Sequence, residues 1–286
     1  MRVGVFTFAT DRDMAPGRFA VEVENRGFDA LMFTEHSHIP VARETPYPEV
    51  YGGGVLPDFY QRTYDPFVAC AFAAASTSRI RIGTAVCLLA LRDAVHTAKE
   101  VASVDRLSGG RFVFGVGFGW NRDEFPTHGV DFRSRHALVE EKVAVLRALW
   151  TQEVASFDGA HLRLQPSWAW PKPVSVPHPP VLVGGNGPRS MRHAARWADG
   201  WFPTSMAGYD SPAAAVREFR ELAEQAGRDP AALTVGVAPA SLDETSLASY
   251  LDAGLDHVDV ACVAGSDDAL LTQLDDYAVL REKALS

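Results

Sequence analysis

A polar segment at residues 34–38 carries the residue types that proton transfer requires. It reads Thr-Glu-His-Ser-His and directly follows an apolar run that ends at Phe33. An imidazole changes its charge near neutral pH, so His36 can give or take a proton during catalysis. A histidine in this place can also do no more than hydrogen-bond its own loop, and the residue types alone leave both interpretations open.

Glu35, His36 and His38 could also ligate a transition metal. Catalytic metal sites usually have three protein ligands in suitable geometry, and the sequence contains no second cluster to match this one. The three cysteines have no metal or redox spacing, and Cys87 has no neighbour that would activate its thiol. We therefore predict no metal site and interpret Cys87 as a packed core residue.

A glycine-rich segment at 112–121 reads FVFGVGFGWN. Its first half is typical of a buried strand, and the glycines of its second half would let the backbone approach a ligand closely. The spacing differs from the GxGxxG fingerprint of dinucleotide-binding proteins, and no helical pattern is obvious before about Ser134. The segment therefore does not favour a nicotinamide cofactor.

A second glycine-rich segment, GGNGPRS at 184–190, precedes a helical pattern. Free backbone N–H groups at a helix N-terminus bind phosphate, glycines let the phosphate come close, and Arg189 adds positive charge. A plain tight turn is the alternative interpretation. If the two glycine-rich loops are neighbours on one face of the fold, they favour a ligand that carries phosphate.

Strand-like and helix-like segments alternate along the whole chain. Eight such units in 286 residues match a (β/α)8 TIM barrel, an α/β fold that needs about 250 residues. A doubly wound sheet also alternates and is the second choice. We therefore predict one barrel domain over residues 1–286. The predicted strands are 3–8, 30–34, 80–85, 112–117, 181–184, 200–203, 234–238 and 258–263; the predicted helices are 18–26, 65–76, 94–107, 134–150, 190–197, 212–226, 245–253 and 268–283.

Two long connections are predicted as insertions in this barrel. The first, 37–64, follows the second strand, is rich in aromatic residues and proline, and would lie at the C-terminal face, where barrel active sites lie. The second, 154–180, precedes the fifth strand, and Asp158-Gly159 predicts a hairpin turn within it. The segment 105–111, DRLSGGR, would lie at the opposite face, and its glycines indicate a structural turn.

The charge and hydropathy pattern excludes several classes of partner. The net charge of −9 argues against a nucleic-acid-binding protein, and no apolar run is long enough to span a membrane. The N-terminus lacks the ordered charged and apolar regions of a signal peptide. A reduced, cytoplasmic protein acting on a small molecule is the expectation.

Several of these segments together resemble the bacterial luciferase-like family of flavin and deazaflavin oxidoreductases. The resemblance is carried by GTAV at 83–86, DRLSGGR followed by FVFGVGFGWN, and VLVGGNGP with RSMRHAARWADGW across 181–201. It extends from residue 1 to about residue 265 and is greatest for the actinobacterial branch that uses coenzyme F420. It implies a TIM barrel with an insertion before the fifth strand and a cofactor across the C-terminal mouth.

The resemblance also implies roles for particular residues. His36 matches the family's active-site histidine, with Glu35 as its acidic neighbour. In relatives a non-proline cis peptide bond at the end of the third strand forms a bulge behind the cofactor ring, which here would be Ala85–Val86. The remaining cofactor contacts would come from Gly117, Phe118, Gly119, Trp120 and Asn121, and from Gly184, Gly185, Asn186 and Gly187 on the other side.

One departure from the family bears on the substrate. Sugar-phosphate dehydrogenases of the family carry a glutamate in the loop after the fourth strand as a proton donor, whereas this chain has Trp120 near that place. The 37–64 loop shows no basic cluster for a sugar phosphate. Glucose-6-phosphate chemistry is therefore not expected.

The expected activity is hydride transfer between C5 of F420 and a small organic substrate. An FMN-dependent monooxygenase that uses reduced flavin and oxygen is the alternative, and a barrel that binds a cofactor without catalysis is a third interpretation. The sequence names neither the substrate nor the direction of transfer. It also leaves open whether the chain forms the homodimer that is common among relatives.

Overall fold

The computed structural model describes residues 1–239 and 241–285, and in this part of the chain eight parallel strands close into a barrel. The closed sheet confirms the predicted (β/α)8 TIM barrel and excludes the doubly wound alternative. In chain order the strands are β1 (Arg2–Thr7), β2 (Ala30–Phe33), β3 (Arg81–Cys87), β4 (Phe112–Val116), the hairpin strands β5 (Ala155–Asp158) and β6 (Arg163–Ser167), β7 (Val181–Gly184), β8 (Gly200–Phe202), β9 (Thr234–Val237) and β10 (His257–Ala261).

Helices alternate with the barrel strands as predicted, with ends that differ by a few residues. Two of them begin earlier than expected because proline occupies their first turn. Proline is tolerated there because a backbone N–H at that position would have no hydrogen-bond partner within the helix. The helices are α1 (Pro16–Asn25), α2 (Pro66–Ser76), α3 (Ala94–Leu107), α4 (Arg135–Thr151), α5 (Pro188–Trp197), α6 (Pro212–Gln225), α7 (Glu244–Asp252) and α8 (Asp267–Leu285). No helix in the described ranges is long and apolar enough to cross a membrane.

The barrel interior is filled by its own small apolar cluster, separate from the larger core between strands and helices. Its buried members are Phe6, Met32, Val113, Leu182, Phe202 and Ala238. This cluster separates a polar floor, where His257 and Asp259 are buried, from the open C-terminal mouth. The interior of the barrel is therefore packed with side chains, as is usual for this fold, and the mouth lies above this packed layer.

Both predicted insertions are present. The hairpin β5–β6 is antiparallel and precedes β7, the fifth barrel strand. The connection after β2 contains 3-10 turns at Glu49–Tyr51 and Asp58–Gln61, and we call residues 37–64 the lid. Asp123 ties the lid down, because its carboxylate accepts hydrogen bonds from the backbone N and Oγ1 of Thr45 at 2.8 and 2.6 Å.

Two loops next to β4 differ in how well the sequence predicted them. The DRLSGGR segment is structural as predicted: the Asp105 carboxylate accepts hydrogen bonds from the backbone N atoms of Val174 and Ser175.

The chain after β4 forms a 3-10 helix at Arg122–His128 that was not predicted from the sequence. This segment supplies a residue of the candidate site.

Candidate active site

A cavity of about 360 Å³ opens at the C-terminal ends of the barrel strands. The predicted site residues Glu35, His36, Ala85, Val86, Trp120, Gly184 and Gly185 line it. Eight of the residues that line it are aromatic, and four of these eight belong to the lid. The aromatic lining consists of Phe6, Phe8, Tyr47, Tyr51, Phe59, Tyr60, Trp120 and Phe202.

The end of β3 has the irregular backbone that the resemblance implied. The peptide bond between Ala85 and Val86 is cis, and the register with β4 shifts between Thr84 and Cys87. The Val86 side chain lies against two glycines, since an added Cβ at Gly117 or Gly184 would be 2.4 or 2.8 Å from its methyl groups. These two glycines are therefore required by the packing of the bulge itself.

His36 is held by a carboxylate that the sequence analysis missed. Its Nδ1 lies 2.7 Å from Oε1 of Glu124, and the two side chains are only 5% and 0% exposed. His36 borders the cavity at the end of β2, whereas Glu124 lies in the 3-10 segment behind it. The only sequence signal was an acidic residue beside Phe125, which is also buried. A glutamate does follow β4, four positions beyond Trp120, where it was not expected.

Two aromatic rings flank the His36 imidazole. Its centroid is 5.0 Å from that of Tyr60 and 6.0 Å from that of Trp120, both in edge-on arrangements. The hydroxyl of Thr63 bonds the backbone N and O of His36 at 3.3 and 3.0 Å. The imidazole is thus held by one hydrogen bond and two ring contacts at the border of the cavity.

Glu35 points away from His36 and stabilises the loop after the bulge. Its carboxylate accepts hydrogen bonds from the backbone N of Leu88 at 2.6 Å and from Nε of Arg92 at 2.5 Å. Burial lowers the pKa of Arg92, but Glu35 and Asp65 raise it more, so that the net change is upward. Catalysis by Glu35 stays a prediction, and its contacts are those of a positioning residue.

Cys87 is a packed thiol in the described structure. It is fully buried, and burial together with the nearby Glu35 raises the pKa of its thiol well above the usual value. No group of three or more metal-ligating side chains occurs among the described residues. Proton-transfer chemistry at this mouth therefore has His36 as its candidate group.

The loop after β7 forms the second wall of the mouth. Gly185 has φ +107°, and the side-chain oxygen of Asn186 accepts a hydrogen bond from the backbone N of Thr204 at 2.8 Å. This bond ties the β7 loop to the β8 loop just before α5 begins at Pro188. The Asn186 side chain thus connects two loops of the barrel, and it does not line the cavity.

A cluster of histidines lies beside this loop, around the predicted cofactor residue Phe118. The ring of Phe118 is 4.1 Å from that of His136 and 5.2 Å from that of His193. His136 is buried and its Nδ1 has no hydrogen-bond partner among the described residues. Burial, followed by the charges of Arg135 and Arg189, lowers the pKa of His136 to about 3. Arg135 and Arg189 thus supply positive charge beside a neutral imidazole.

The other predicted cofactor residues lie outside the cavity lining. Gly117, Phe118, Gly119, Asn121 and Gly187 do not line the cavity. Asn121 is fully buried, and neither polar atom of its side chain has a hydrogen-bond partner among the described residues. Direct cofactor contacts by these residues stay predictions.

The fold and the site thus combine a TIM barrel, a cis peptide bond at the end of the third barrel strand and a buried histidine–carboxylate pair at the mouth. Residues 1–247 match the family model described as luciferase-like monooxygenase. The chain belongs to this family, whose known members are oxidoreductases and monooxygenases, and the predicted resemblance is confirmed.

Two curated relatives illustrate the range of sequence similarity. An uncharacterized protein of Mycobacterium tuberculosis is 43% identical over 231 residues, covering 80% of each chain. The phthiodiolone/phenolphthiodiolone dimycocerosates ketoreductase of Mycobacterium kansasii is 29% identical over 208 residues, covering 71% of this chain and 56% of that protein.

Solved structures with the same fold include proteins that use either cofactor. The monooxygenase RslO1 of Streptomyces bottropensis has a TM-score of 0.76 at 18% identity, with 100% of both chains covered. An F420-dependent secondary alcohol dehydrogenase also has a TM-score of 0.76, at 16% identity and with 99% and 98% of the two chains covered. The FMN-bound oxygenating component of 3,6-diketocamphane monooxygenase from Pseudomonas putida has a TM-score of 0.63, at 19% identity and with 87% and 70% covered. At these identities the comparisons show the fold alone.

Proposed function

We propose that this protein is an F420-dependent oxidoreductase that transfers a hydride between the deazaflavin and a small organic substrate. The observation that carries the proposal is the buried pair of His36 and Glu124 at the wall of the cavity that Ala85 and Val86 also line. A histidine fixed by a carboxylate can move the proton that accompanies a hydride. The likeness to an F420-dependent secondary alcohol dehydrogenase supports the choice of cofactor.

The residues present fit a phosphate-bearing deazaflavin. The bulge at Ala85–Val86 would support the ring, and the phosphate would lie at the N-terminus of α5, near Arg189. The unpartnered Nδ1 of buried His136 beside Arg135 is an observation that an anionic ligand would explain. When bound, the deazaflavin supplies a two-electron acceptor or donor at C5.

The chain's own residues then perform the proton transfer. Glu124 accepts a hydrogen bond from Nδ1–H of His36, which leaves Nε2 as the basic nitrogen. His36 Nε2 takes the hydroxyl proton of the substrate in the oxidative direction, and the carboxylate of Glu124 stabilises the imidazolium that forms. The aromatic lid, held by Asp123, excludes water while the hydride moves.

The alternative proposal is an FMN-dependent monooxygenase that uses reduced flavin and oxygen. It is supported by the fold shared with the FMN-bound diketocamphane enzyme. A barrel that binds a cofactor without catalysis is a third candidate, and the fixed imidazole of His36 argues against it because such a barrel has no use for a proton-transfer group.

A cofactor titration tests these candidates. Purified protein is titrated with F420 and with FMN in parallel, following intrinsic tryptophan fluorescence and the cofactor spectra. We expect saturable binding of F420 at lower concentration than FMN, and hydride transfer that is lost in His36→Ala while F420 binding persists. Tight binding of FMN without binding of F420 would make the monooxygenase the preferred proposal. Wild-type turnover in His36→Ala would overturn the assignment of His36.

A further inference from the structure

The N-terminal face of the barrel holds a second cavity, on the opposite side of the packed interior from the mouth. Its volume is about 30 Å³, and we call it the floor pocket. We propose that the floor pocket binds the carboxylate of a small aliphatic acid. This site is separate from the proposed oxidoreductase site and does not depend on it. The lining includes the first residues of five barrel strands, which are Arg2, Ala30, Arg81, Thr234 and His257.

Two side chains of β10 point into the floor pocket because two neighbouring strands carry glycine. His257 and Asp259 are two positions apart, so both face the barrel interior. Asp259 pairs with Gly4 of β1, where an added Cβ would be 2.1 Å from Oδ1 of Asp259. His257 pairs with Gly236 of β9, where an added Cβ would be 2.4 Å from its ring. The sequence thus makes room for polar groups at the base of an otherwise apolar interior.

The carboxyl group of Asp259 lacks a partner that a ligand could supply. The residue is 1% exposed, and its Oδ1 has no hydrogen-bond partner among the described residues. A buried polar atom without a partner is costly, so such an atom at the wall of a cavity indicates a bound group. Burial, partly offset by Arg2, raises the pKa of Asp259 to about 7. At pH 6 this carboxyl group is therefore protonated and can donate a hydrogen bond.

The other polar groups of the floor pocket supply donors and positive charge. Neither the Arg2 nor the Arg81 guanidinium forms a hydrogen bond or an ion pair with another described residue. Burial and the charge of Arg2 lower the pKa of Arg81, so an anion beside them would relieve their repulsion. Burial and both arginines lower the pKa of His257 to about 3, so its imidazole is neutral and offers one N–H. These groups together favour an anionic ligand.

The remaining lining favours a carboxylate with a short hydrocarbon chain over an inorganic anion. Ala30, Met32, Val113 and Leu182 give the floor pocket apolar walls. A carboxylate fits a guanidinium well, and its hydrocarbon part would contact these walls, whereas phosphate has no apolar part. A cleft of about 370 Å³ adjoins the floor pocket and shares Arg81 with it, so a small acid can enter from that side.

Isothermal titration calorimetry with propionate at pH 6 tests the ligand class. Propionamide has nearly the same shape as propionate without the charge. We expect one propionate to bind per chain with a Kd on the order of 1 mM, and propionamide to bind at least about tenfold more weakly. Phosphate at the same ionic strength should also bind more weakly. The absence of saturable propionate binding, or equal or tighter binding of propionamide or phosphate, would overturn the proposal.

Arginine variants locate the binding in the floor pocket. Arg81 is an exposed residue at the start of β3, so Arg81→Gln should keep the fold. We expect it to weaken propionate binding by roughly tenfold, because it removes one charge-assisted contact. Arg217→Gln on α6 and Arg189→Gln at the mouth change exposed arginines outside the lining and should bind propionate as the wild type does. Equal effects of Arg81→Gln and either control would place the anion elsewhere and overturn the proposal.

The carboxyl group of Asp259 predicts how this binding depends on pH. The charged and titratable groups that face it are Arg2, Asp29 and Arg81, with His257 on its own strand. Above its pKa of about 7, Asp259 loses the proton that it donates and its charge opposes that of the ligand. Propionate affinity should therefore fall by about tenfold between pH 6 and pH 8. Asp259→Asn keeps a donor that does not titrate and should bind propionate equally at both pH values. The same fall in Asp259→Asn as in the wild type would show that Asp259 does not contact the ligand, which would overturn the proposal.

Discussion

The Nδ1 atom of His36 lies 2.7 Å from Oε1 of Glu124, although the two residues are 88 positions apart in the chain. They come from the ends of β2 and β4, the two strands that flank β3 in the barrel. Because both side chains are buried, the carboxylate can fix the tautomer of the imidazole without competition from water. Strand order in the barrel brings the two residues together, and no local sequence motif specifies the pair.

Replacement of Glu124 by glutamine should remove the charge that stabilises a protonated His36. We expect Glu124→Gln to lower kcat on the order of 10²–10⁴-fold, as for amide substitution in other histidine–carboxylate pairs. F420 affinity and thermal stability should change little, and the pH profile of kcat should change shape. Steady-state kinetics across pH, with F420 titrations alongside, measure both effects.

The matched control for this variant is Glu44→Gln. Glu44 is an exposed glutamate of the lid, and its backbone N, not its carboxylate, contacts Asp123. It should keep wild-type kcat and the wild-type pH profile. If Glu124→Gln behaves like Glu44→Gln, the pair has no part in proton transfer.

The packing of Val86 against Gly117 predicts a compensating pair of substitutions. A Cβ at Gly117 would lie 2.4 Å from Cγ2 of Val86, so Gly117→Ala forces the bulge to move. We expect a loss of about 1–3 kcal/mol in the free energy of unfolding, together with weaker F420 binding. Adding Val86→Ala should recover part of the stability, because it removes the clashing methyl groups. Urea unfolding of the single and double variants gives the coupling energy.

The control glycine for this series is Gly208, which is exposed and where an added Cβ would have nothing within 4 Å. Gly208→Ala should leave both stability and cofactor affinity unchanged. Additive effects of Gly117→Ala and Val86→Ala would contradict the proposed contact.

Arg189 at the start of α5 should contribute to binding of the cofactor phosphate. We expect Arg189→Gln to weaken F420 affinity by about tenfold at low salt, since it removes one charge-assisted contact. The difference from wild type should shrink as salt increases, because the side chain is exposed. Arg217→Gln, an exposed arginine on α6, serves as the control for net charge. Equal effects of the two variants would exclude a specific contact.

The features predicted well from the sequence were those with local patterns. Buried strands are continuous apolar runs, and Pro66 and Pro212 mark helix starts by occupying the first turn. The Asp158-Gly159 turn indicated the hairpin. The cis bond at Ala85–Val86 was predicted by family resemblance, because composition and periodicity do not reveal it.

The features that were missed depend on contacts between distant segments. Glu124 shows no pattern that separates it from its less buried neighbour Asp123, and only the folded barrel brings it to His36. The contact of Gly117 with the cofactor stays a prediction, and its packing against Val86, which requires the missing Cβ, was not predicted. Glu35 was predicted as the acidic neighbour of His36, and its contacts with Leu88 and Arg92 were not foreseen.

The floor of the barrel holds two buried ionisable side chains, His257 and Asp259, with opposite effects on stability. Burial raises the pKa of Asp259 from 3.8 to about 7, partly offset by Arg2. Burial, followed by the charges of Arg2 and Arg81, lowers the pKa of His257 from 6.5 to about 3. Between pH 3.8 and 7 the native state binds the Asp259 proton more tightly than the unfolded state, so stability falls as pH rises. Between pH 6.5 and 3 the unfolded state binds the His257 proton more tightly, so stability falls as pH falls.

Single substitutions should separate these two contributions, which partly cancel in the wild-type protein. Relative to wild type, Asp259→Asn should gain stability as pH rises from 4 toward 7, and His257→Gln should gain stability as pH falls from 6.5. Each pKa unit of difference between the folded and unfolded states corresponds to about 1.4 kcal/mol, so the gains are large enough to measure by urea unfolding. Asp252→Asn, which changes an exposed residue at the end of α7 that does not line the pocket around His257 and Asp259, should show no such pH dependence. A constant difference between Asp259→Asn and wild type across this range would mean that Asp259 keeps its ordinary pKa in the folded barrel.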